Sequence, residues 1–222
     1  FFLAPGANRS MLRNANANFK VRKDRNITLI GGTYNQNCRE QVHHLEVPED
    51  CVDVFTGNNV FGNRRWVIGM EFFGVENLIV RNVTIRNQRT FGMLVVNWYN
   101  VNMEDIRLEL PDHMYAQNQD GIHFWGPGQF LKMRNISGSS GDDFIALAPD
   151  EHDLESDITD VIIDGVFLEN ADQGIRLLSR GKGRLDRVLI KNVVGTYKSF
   201  GFIINPWFAG NGGNYGNIVF DT

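Results

Sequence analysis

Six copies of one short pattern decide what this chain can fold into. Each alternates apolar and polar residues, then sets a small polar residue before an apolar one. It first occurs as Leu78-Ile79-Val80-Arg81-Asn82-Val83 and returns as Val101-Asn102-Met103-Glu104-Asp105-Ile106. Further copies start at Leu131, Val161 and Val188, with a shortened one at Ile218, so the spacings are 23, 30, 30, 27 and 30 residues. A second strand follows at a nearly fixed offset, beginning at Phe91, Asp120, Asp143, Gln173 and Phe200. The one long offset is accounted for by a polar insertion, Pro111 to Gln117, expected to be a loop.

Period-two strands repeating at this interval, with no helical segment between them, do not suit a doubly wound sheet. They suit a solenoid whose rungs stack at about 4.8 Å and bury columns such as Met93, Ile122, Ile145, Ile175 and Phe202. Asn82, Asn135 and Asn192 recur at one turn position, where asparagine tolerates left-handed backbone and its amides can hydrogen-bond along the stack. A β-sandwich also has many short strands but gives no reason for so regular an offset. The expected fold is therefore all-β, a parallel β-helix. Asn26 to Gly32 and Arg65 to Met70 fit as N-terminal rungs, and Gln36 to Arg64 is irregular enough to be a loop.

The chain has 222 residues and a net charge of -4. Such a balance argues against a nucleic-acid partner, though not against an acidic polysaccharide held in a local cleft. No apolar run reaches the roughly 18 residues of a membrane span. Phe1 to Gly6 reads as a strand ending in a turn, and Ile218-Val219-Phe220 as another strand without a cap. The expectation is one domain over residues 1–222, truncated at both ends, from a secreted or periplasmic protein whose targeting signal lies outside this sequence. Cys38 and Cys51 suit a disulfide in such a compartment, and equally suit two small apolar residues. Oligomeric state is open.

The second strands carry Phe91, Asp120, Asp143, Gln173 and Phe200 at equivalent positions, with Asp142 directly before Asp143. Asp120 and Asp143 are thus expected on adjacent rungs. Stacking like charges costs energy and raises the pKa of at least one group. A catalyst that needs one protonated and one ionised carboxyl has a use for that arrangement, and glycosidic cleavage is such a reaction. The plain alternative is calcium binding or turn capping by the aspartates of two turns. Both turns in one column favour catalysis by Asp120, Asp142 and Asp143.

Asn118-Gln119-Asp120-Gly121 followed by Gly141-Asp142-Asp143 resembles the Asn-Thr-Asp and Gly-Asp-Asp motifs of glycoside hydrolase family 28, the polygalacturonases and their relatives. The likeness runs from Leu3-Ala4-Pro5-Gly6 and Gly31-Gly32-Thr33 to the last rungs. It implies a single-stranded right-handed parallel β-helix that hydrolyses pectin-type chains with inversion and without a metal or other cofactor. Carried over, Asp142 is the general acid and Asp120 and Asp143 activate water. Two departures stand out. Gln173 takes the place of the histidine in the family's Gly-His-Gly rung, and Ile203, Ile204 and Asn205 align with its Arg-Ile-Lys. An alternative alignment sets Gly174-Ile175-Arg176 on the family's Gly-x-Arg, at the cost of a missing rung and with Leu178 at the lysine. Either way the lysine is absent, which favours a neutral or differently placed acidic sugar at that subsite.

His123 and Arg176 fall three residues beyond the aspartate column and are expected on adjacent rungs facing the cleft, where Arg176 binds a sugar acid or hydroxyls. A solvated Arg176 paired with Asp172 or Glu169 is the alternative. Among Trp98, Tyr99, Trp125 and Trp207, Trp125 is the candidate platform for a sugar face, being next to the aspartate strand. Substrate contacts are therefore expected from His123, Trp125, Gln173, Arg176 and Asn205, with no metal ligands. The acidic run Asp150 to Asp157 reads as a solvated loop. The implied activity is polysaccharide hydrolysis. The rivals are a sugar-binding β-helix of tail-fibre or adhesin type, which needs no carboxylate trio, and a polysaccharide lyase or epimerase, which needs a basic proton abstractor.

Overall fold

The computed structural model describes residues 1–46, 64–111, 117–206 and 212–221. Its elements are β1 (Leu12–Arg13), β2 (Asp24–Ile30), β3 (Thr33–Asn35), a single 3-10 turn (Cys38–Glu40), β4 (His44–Glu46), β5 (Arg64–Trp66), β6 (Met70–Arg86), β7 (Met93–Glu109), β8 (Ile122–Gly138), β9 (Asp143–Ala148), β10 (Ile158–Leu177), β11 (Leu185–Ile204) and β12 (Ile218–Asp221). All but β4 and β5 join one parallel sheet that winds into a parallel β-helix. Its register is the one the repeat predicts. Leu78 pairs with Val101, Val101 with Leu131, Leu131 with Val161, Val161 with Val188, and Val188 with Ile218.

The long strands turn corners at residues in the left-handed region. One column of these is Asn82, Asp105, Asn135, Gly165 and Asn192, with φ between 53° and 80°. A second, directly before each repeat, is Asn26, Asn77, Asn100, Phe130, Asp160 and Arg187. Asparagine dominates because its short amide both tolerates this geometry and bonds to the next rung. Asn77 Nδ2 donates to Asn26 Oδ1 at 2.9 Å, and Asn100 Nδ2 to Asn77 Oδ1 at 2.7 Å.

Inside the coil, Val80, Met103, Met133, Ile163 and Ile190 form one fully buried column, and Met93, Ile122, Ile145 and Ile175 another. Each such side chain contributes roughly 1.5–3 kcal/mol on burial. Phe202 continues the second column but is 36% exposed; among the described residues the Phe220 ring packs edge-on against it.

Rungs approach closely where glycine follows the aspartate column. A Cβ on Gly121 would lie 2.3 Å from both the Phe144 carbonyl oxygen and Leu108 Cδ1. Since backbone cannot yield there, Gly121→Ala should destabilise the protein by about 1–3 kcal/mol. The check is thermal unfolding, with Tm falling by roughly 2–4 °C per kcal/mol.

Other parts differ from expectation. Asn26 to Gly32 does form a rung on β6, but Arg65 to Met70 does not form one of its own. Residues 64–66 instead pair antiparallel with β4 in a two-stranded sheet separate from the parallel one, and the rung starts at Met70. Phe1 to Gly6 forms only an isolated bridge, Phe2 to Asn35, before its turn. Most of the insertion after Pro111, Cys51 and Trp207 lie outside the described residues. Finally, the outer face of the N-terminal rungs is covered. Phe19, Ile68, Phe73, Phe91, Leu94 and Trp125 make a second apolar cluster there.

Candidate active site

On the sheet that follows the aspartates, side chains alternate between the interior and one outer face. Ile122 and Phe124 point in while His123 and Trp125 point out; Ile145 and Leu147 point in while Ala146 and Ala148 point out. Asp120 lies just ahead of this alternation, and Asp143 occupies the equivalent position one rung on. The Gly121 amide donates to the Asp143 carbonyl at 2.8 Å, and Asp143 pairs in register with Gln173. Asp120, Asp143 and Gln173 are therefore consecutive in one column. This register makes Gln173, not a later residue, the position after the aspartates, as counting rungs requires.

The carboxyls are deeply set. Asp120 is 2% exposed and Asp143 4%, while Asp142 is partly exposed and accepts the Asn118 amide at 2.9 Å. Burial pushes Asp120 up to about 7, against the opposing pull of His123. Asp143 is raised well above the ordinary carboxyl range, by burial and then by the charge of Asp120. Asp142 is raised too, chiefly by burial, with the Asn118 amide and Arg176 opposing. Among the described residues, one oxygen of each inner carboxyl, Asp120 Oδ1 and Asp143 Oδ1, is buried without a hydrogen-bond partner, as is Gln173 Oε1. Three raised carboxyls at one place on the coil, two of them with an acceptor left open, are suited to proton transfer.

Two chains of polar contacts leave this centre. Arg176 Nη1 stands 3.5 Å from Asp143 Oδ2, and its Nη2 donates to Asn205 Oδ1 at 3.4 Å. Arg176 thus pairs with Asp143, while Glu169 takes Arg107 instead. In the other chain His123 Nδ1 meets Asp120 Oδ2 at 2.7 Å, and its Nε2 meets Glu151 Oε2 at 2.8 Å.

The comparisons with known proteins point the same way as the rungs. A polygalacturonase of Brassica napus is 23% identical over 143 residues, covering 54% of this chain and 35% of the relative. A polygalacturonase of Gossypium barbadense is 25% identical over 158 residues, 69% of this chain and 36% of its own. An exopolygalacturonase of Arabidopsis thaliana is 22% identical over 133 residues, 50% of this chain and 29% of its own. The chain is polygalacturonase-like. It fits a divergent member of glycoside hydrolase family 28, and it spans about a third of the length of these relatives. No protein-family model matches it, and no solved structure does.

Several positions in this polygalacturonase-like chain depart from expectation. His123 and Arg176 share a column but are two rungs apart, because Ala146 pairs with both. Trp125 is 1% exposed and presents no open ring to a sugar. Its indole nitrogen donates to Glu151 Oε2 at 2.7 Å, and its ring stacks on His152 at 5.7 Å. His123 is equally enclosed, at 3%. The acidic run is not a solvated loop throughout, since Asp150, Glu151 and His152 are all buried. Asp150 accepts the amides of Arg180 at 2.7 Å and Gly183 at 3.2 Å, and Arg180 Nη1 donates to the Glu151 carbonyl at 2.9 Å.

Glu151 and Arg180 are the site residues that repeat-reading misses, because neither falls on a repeated position. The one available signal is Gly181-Lys182-Gly183 on the next rung, a pair of glycines suited to gathering amides around an anion. Towards the N-terminus the column is closed. Phe91 fills the position before Asp120, Trp66 stands edge-on to it at 6.0 Å, and His43 is edge-on to Trp66 at 5.0 Å. Towards the C-terminus lie Gln173, Arg176 and Asn205.

Proposed function

We propose that this chain is the catalytic portion of an extracellular glycoside hydrolase acting on a pectin-type polysaccharide. The observation that carries the reading is the column of Asp120 and Asp143 on consecutive rungs with Asp142 beside them, in a chain similar to polygalacturonases. Asp142 is the most accessible of the three, and burial keeps its proton available, which suits a general acid. It protonates the glycosidic oxygen as the bond to the anomeric carbon breaks. A water attacks that carbon and gives its proton to the inner pair, whose free oxygens Asp120 Oδ1 and Asp143 Oδ1 are acceptors. Each stacked carboxyl opposes ionisation of the other, so one can serve as the base while its neighbour keeps a proton. Inversion at the anomeric carbon is carried over from the family.

Substrate extends towards Gln173, Arg176 and Asn205, since aromatics close the other side. Arg176 contributes a positive charge without the family's lysine, so galacturonate is gripped by one cation here or replaced by a neutral sugar at that subsite. The test is reducing-sugar release from pectic, rhamnose-containing and neutral polysaccharides. Release from a pectic polymer is the expected result. No release from any polymer, with glycan binding intact, would replace the hydrolase with a binding module; unsaturated products would make it a lyase.

A further inference from the structure

The hydrolytic reading leaves a buried acid, Glu151, without a task. Two hydrogen bonds converge on its Oε2, from the His123 ring at 2.8 Å and the Trp125 indole at 2.7 Å, and the group is 1% exposed. The opposite ring nitrogen of His123 bonds Asp120 Oδ2 at 2.7 Å. Phe91 lies edge-on to the imidazole at 5.0 Å, and Trp125 edge-on at 6.1 Å. The result is a relay of carboxyl, imidazole and carboxylate, flanked by the Phe91 and Trp125 rings.

We infer that Glu151 is a positioning residue that holds His123 as a doubly protonated imidazolium and thereby keeps Asp120 available as a base. This deepens the hydrolase reading and rests on it. The reason is charge balance in a dry place. A lone carboxylate as buried as Asp120 takes up a proton; a cation touching it opposes that. A buried imidazolium is itself costly, and a second carboxylate on its far side compensates it. Both ring nitrogens face carboxyl oxygens, so when Asp120 and Glu151 are both ionised both nitrogens must carry hydrogen for both contacts to be hydrogen bonds. His123 is accordingly raised to about 10, and Glu151 is lowered by His123 and the Trp125 bond despite its burial.

The other charged groups facing the relay sharpen its role. Asp142 and Asp143 are the carboxyls beside Asp120, and each opposes its ionisation whenever it is itself ionised. Arg180 approaches Glu151 from the next rung, and Arg176 approaches Asp143. His152 stacks on Trp125 and is depressed by burial, so it supplies no cation there. Among the described residues, His123 is the cation within hydrogen-bond distance of Asp120.

Glu151→Gln tests this, because the amide keeps the shape and removes the charge. Neutral His123 then leaves Asp120 without its adjacent cation, so Asp120 holds its proton more tightly. The acid limb of the kcat/KM profile should move alkaline by about one to two pH units, a roughly 10–100-fold loss on the acid side that recovers on raising the pH. A merely structural role would lower kcat equally at every pH, and that outcome would overturn the inference. A second readout needs neither substrate nor variant. Ring resonances of His123 in the wild-type protein should stay those of an imidazolium at pH 8.5. Titration near the free value of about 6.5 would refute the relay even if hydrolysis is confirmed. If no polysaccharide is cleaved but the imidazolium persists, the relay stands and the hydrolase reading falls.

Discussion

Asp142→Asn should lower kcat on the cleaved polysaccharide by about 10²–10⁴-fold and leave KM nearly unchanged. That range corresponds to about 3 to 5 kcal/mol of transition-state stabilisation. The asparagine fills the same space and can still accept the Asn118 amide that Asp142 accepts at 2.9 Å. What it cannot do is give a proton to the departing oxygen. In the proposed site ground-state binding is assigned to other groups, namely Gln173, Arg176 and Asn205, so the loss is expected in the chemical step. Steady-state kinetics on the wild-type substrate reads both constants. A rise in KM with kcat intact would mean that Asp142 binds sugar without donating a proton.

Asp120→Asn carries the second large effect, and its pH dependence distinguishes it from Asp142→Asn. Asp120 is raised to about 7 in the folded protein, so it is protonated below that pH and ionised above it. A base works only when ionised. Wild-type kcat/KM should therefore climb with pH up to about 7, by close to tenfold per unit on the acid side. In Asp120→Asn the rate falls by about 10²–10⁴-fold. The limb that remains then belongs to Asp143. It should lie at lower pH than Asp143 shows in the wild type, because the charge of Asp120 that raises it has gone. A limb that does not move between the two proteins would remove Asp120 from the titrating pair.

The rung register was readable because stacking leaves the chain little choice. A coil that buries Val80, Met103, Met133, Ile163 and Ile190 in one column must repeat its pattern once per turn. Counting from those anchors places Asp120, Asp143 and Gln173 in a line without any coordinates. The same count fails where a segment leaves the coil. Arg65 to Met70 alternates like a rung, yet an antiparallel partner at His44 to Glu46 satisfies its first residues as well as a parallel one would. The count also misjudged the separation of His123 and Arg176, because the intervening rung contributes only Ala146, which carries no charge to notice.

Burial was the other quantity that alternation could not supply. Trp125 points away from the coil as predicted, but Phe19 packs over that face, with ring centroids 6.4 Å apart, and Glu151 takes its indole proton. An outward residue on a solenoid is exposed only if no distant segment covers it. Phe19 lies 106 positions earlier in the sequence, and Glu151 lies in a loop with no repeat. The acidic run looked solvated for the same reason, since its partners are backbone amides of the following rung rather than lysines or arginines nearby in sequence.

Where the sugar sits tests the aspartate column most directly. A crystal structure of the Asp142→Asn protein with a bound oligosaccharide of the cleaved polymer would locate it. The expected result is a glycosidic oxygen within about 3.2 Å of residue 142, with a water on the opposite face of the ring held by Asp120 and Asp143. Sugar bound away from the three aspartates, with none at residue 142, would contradict the assignment of this column as the catalytic site.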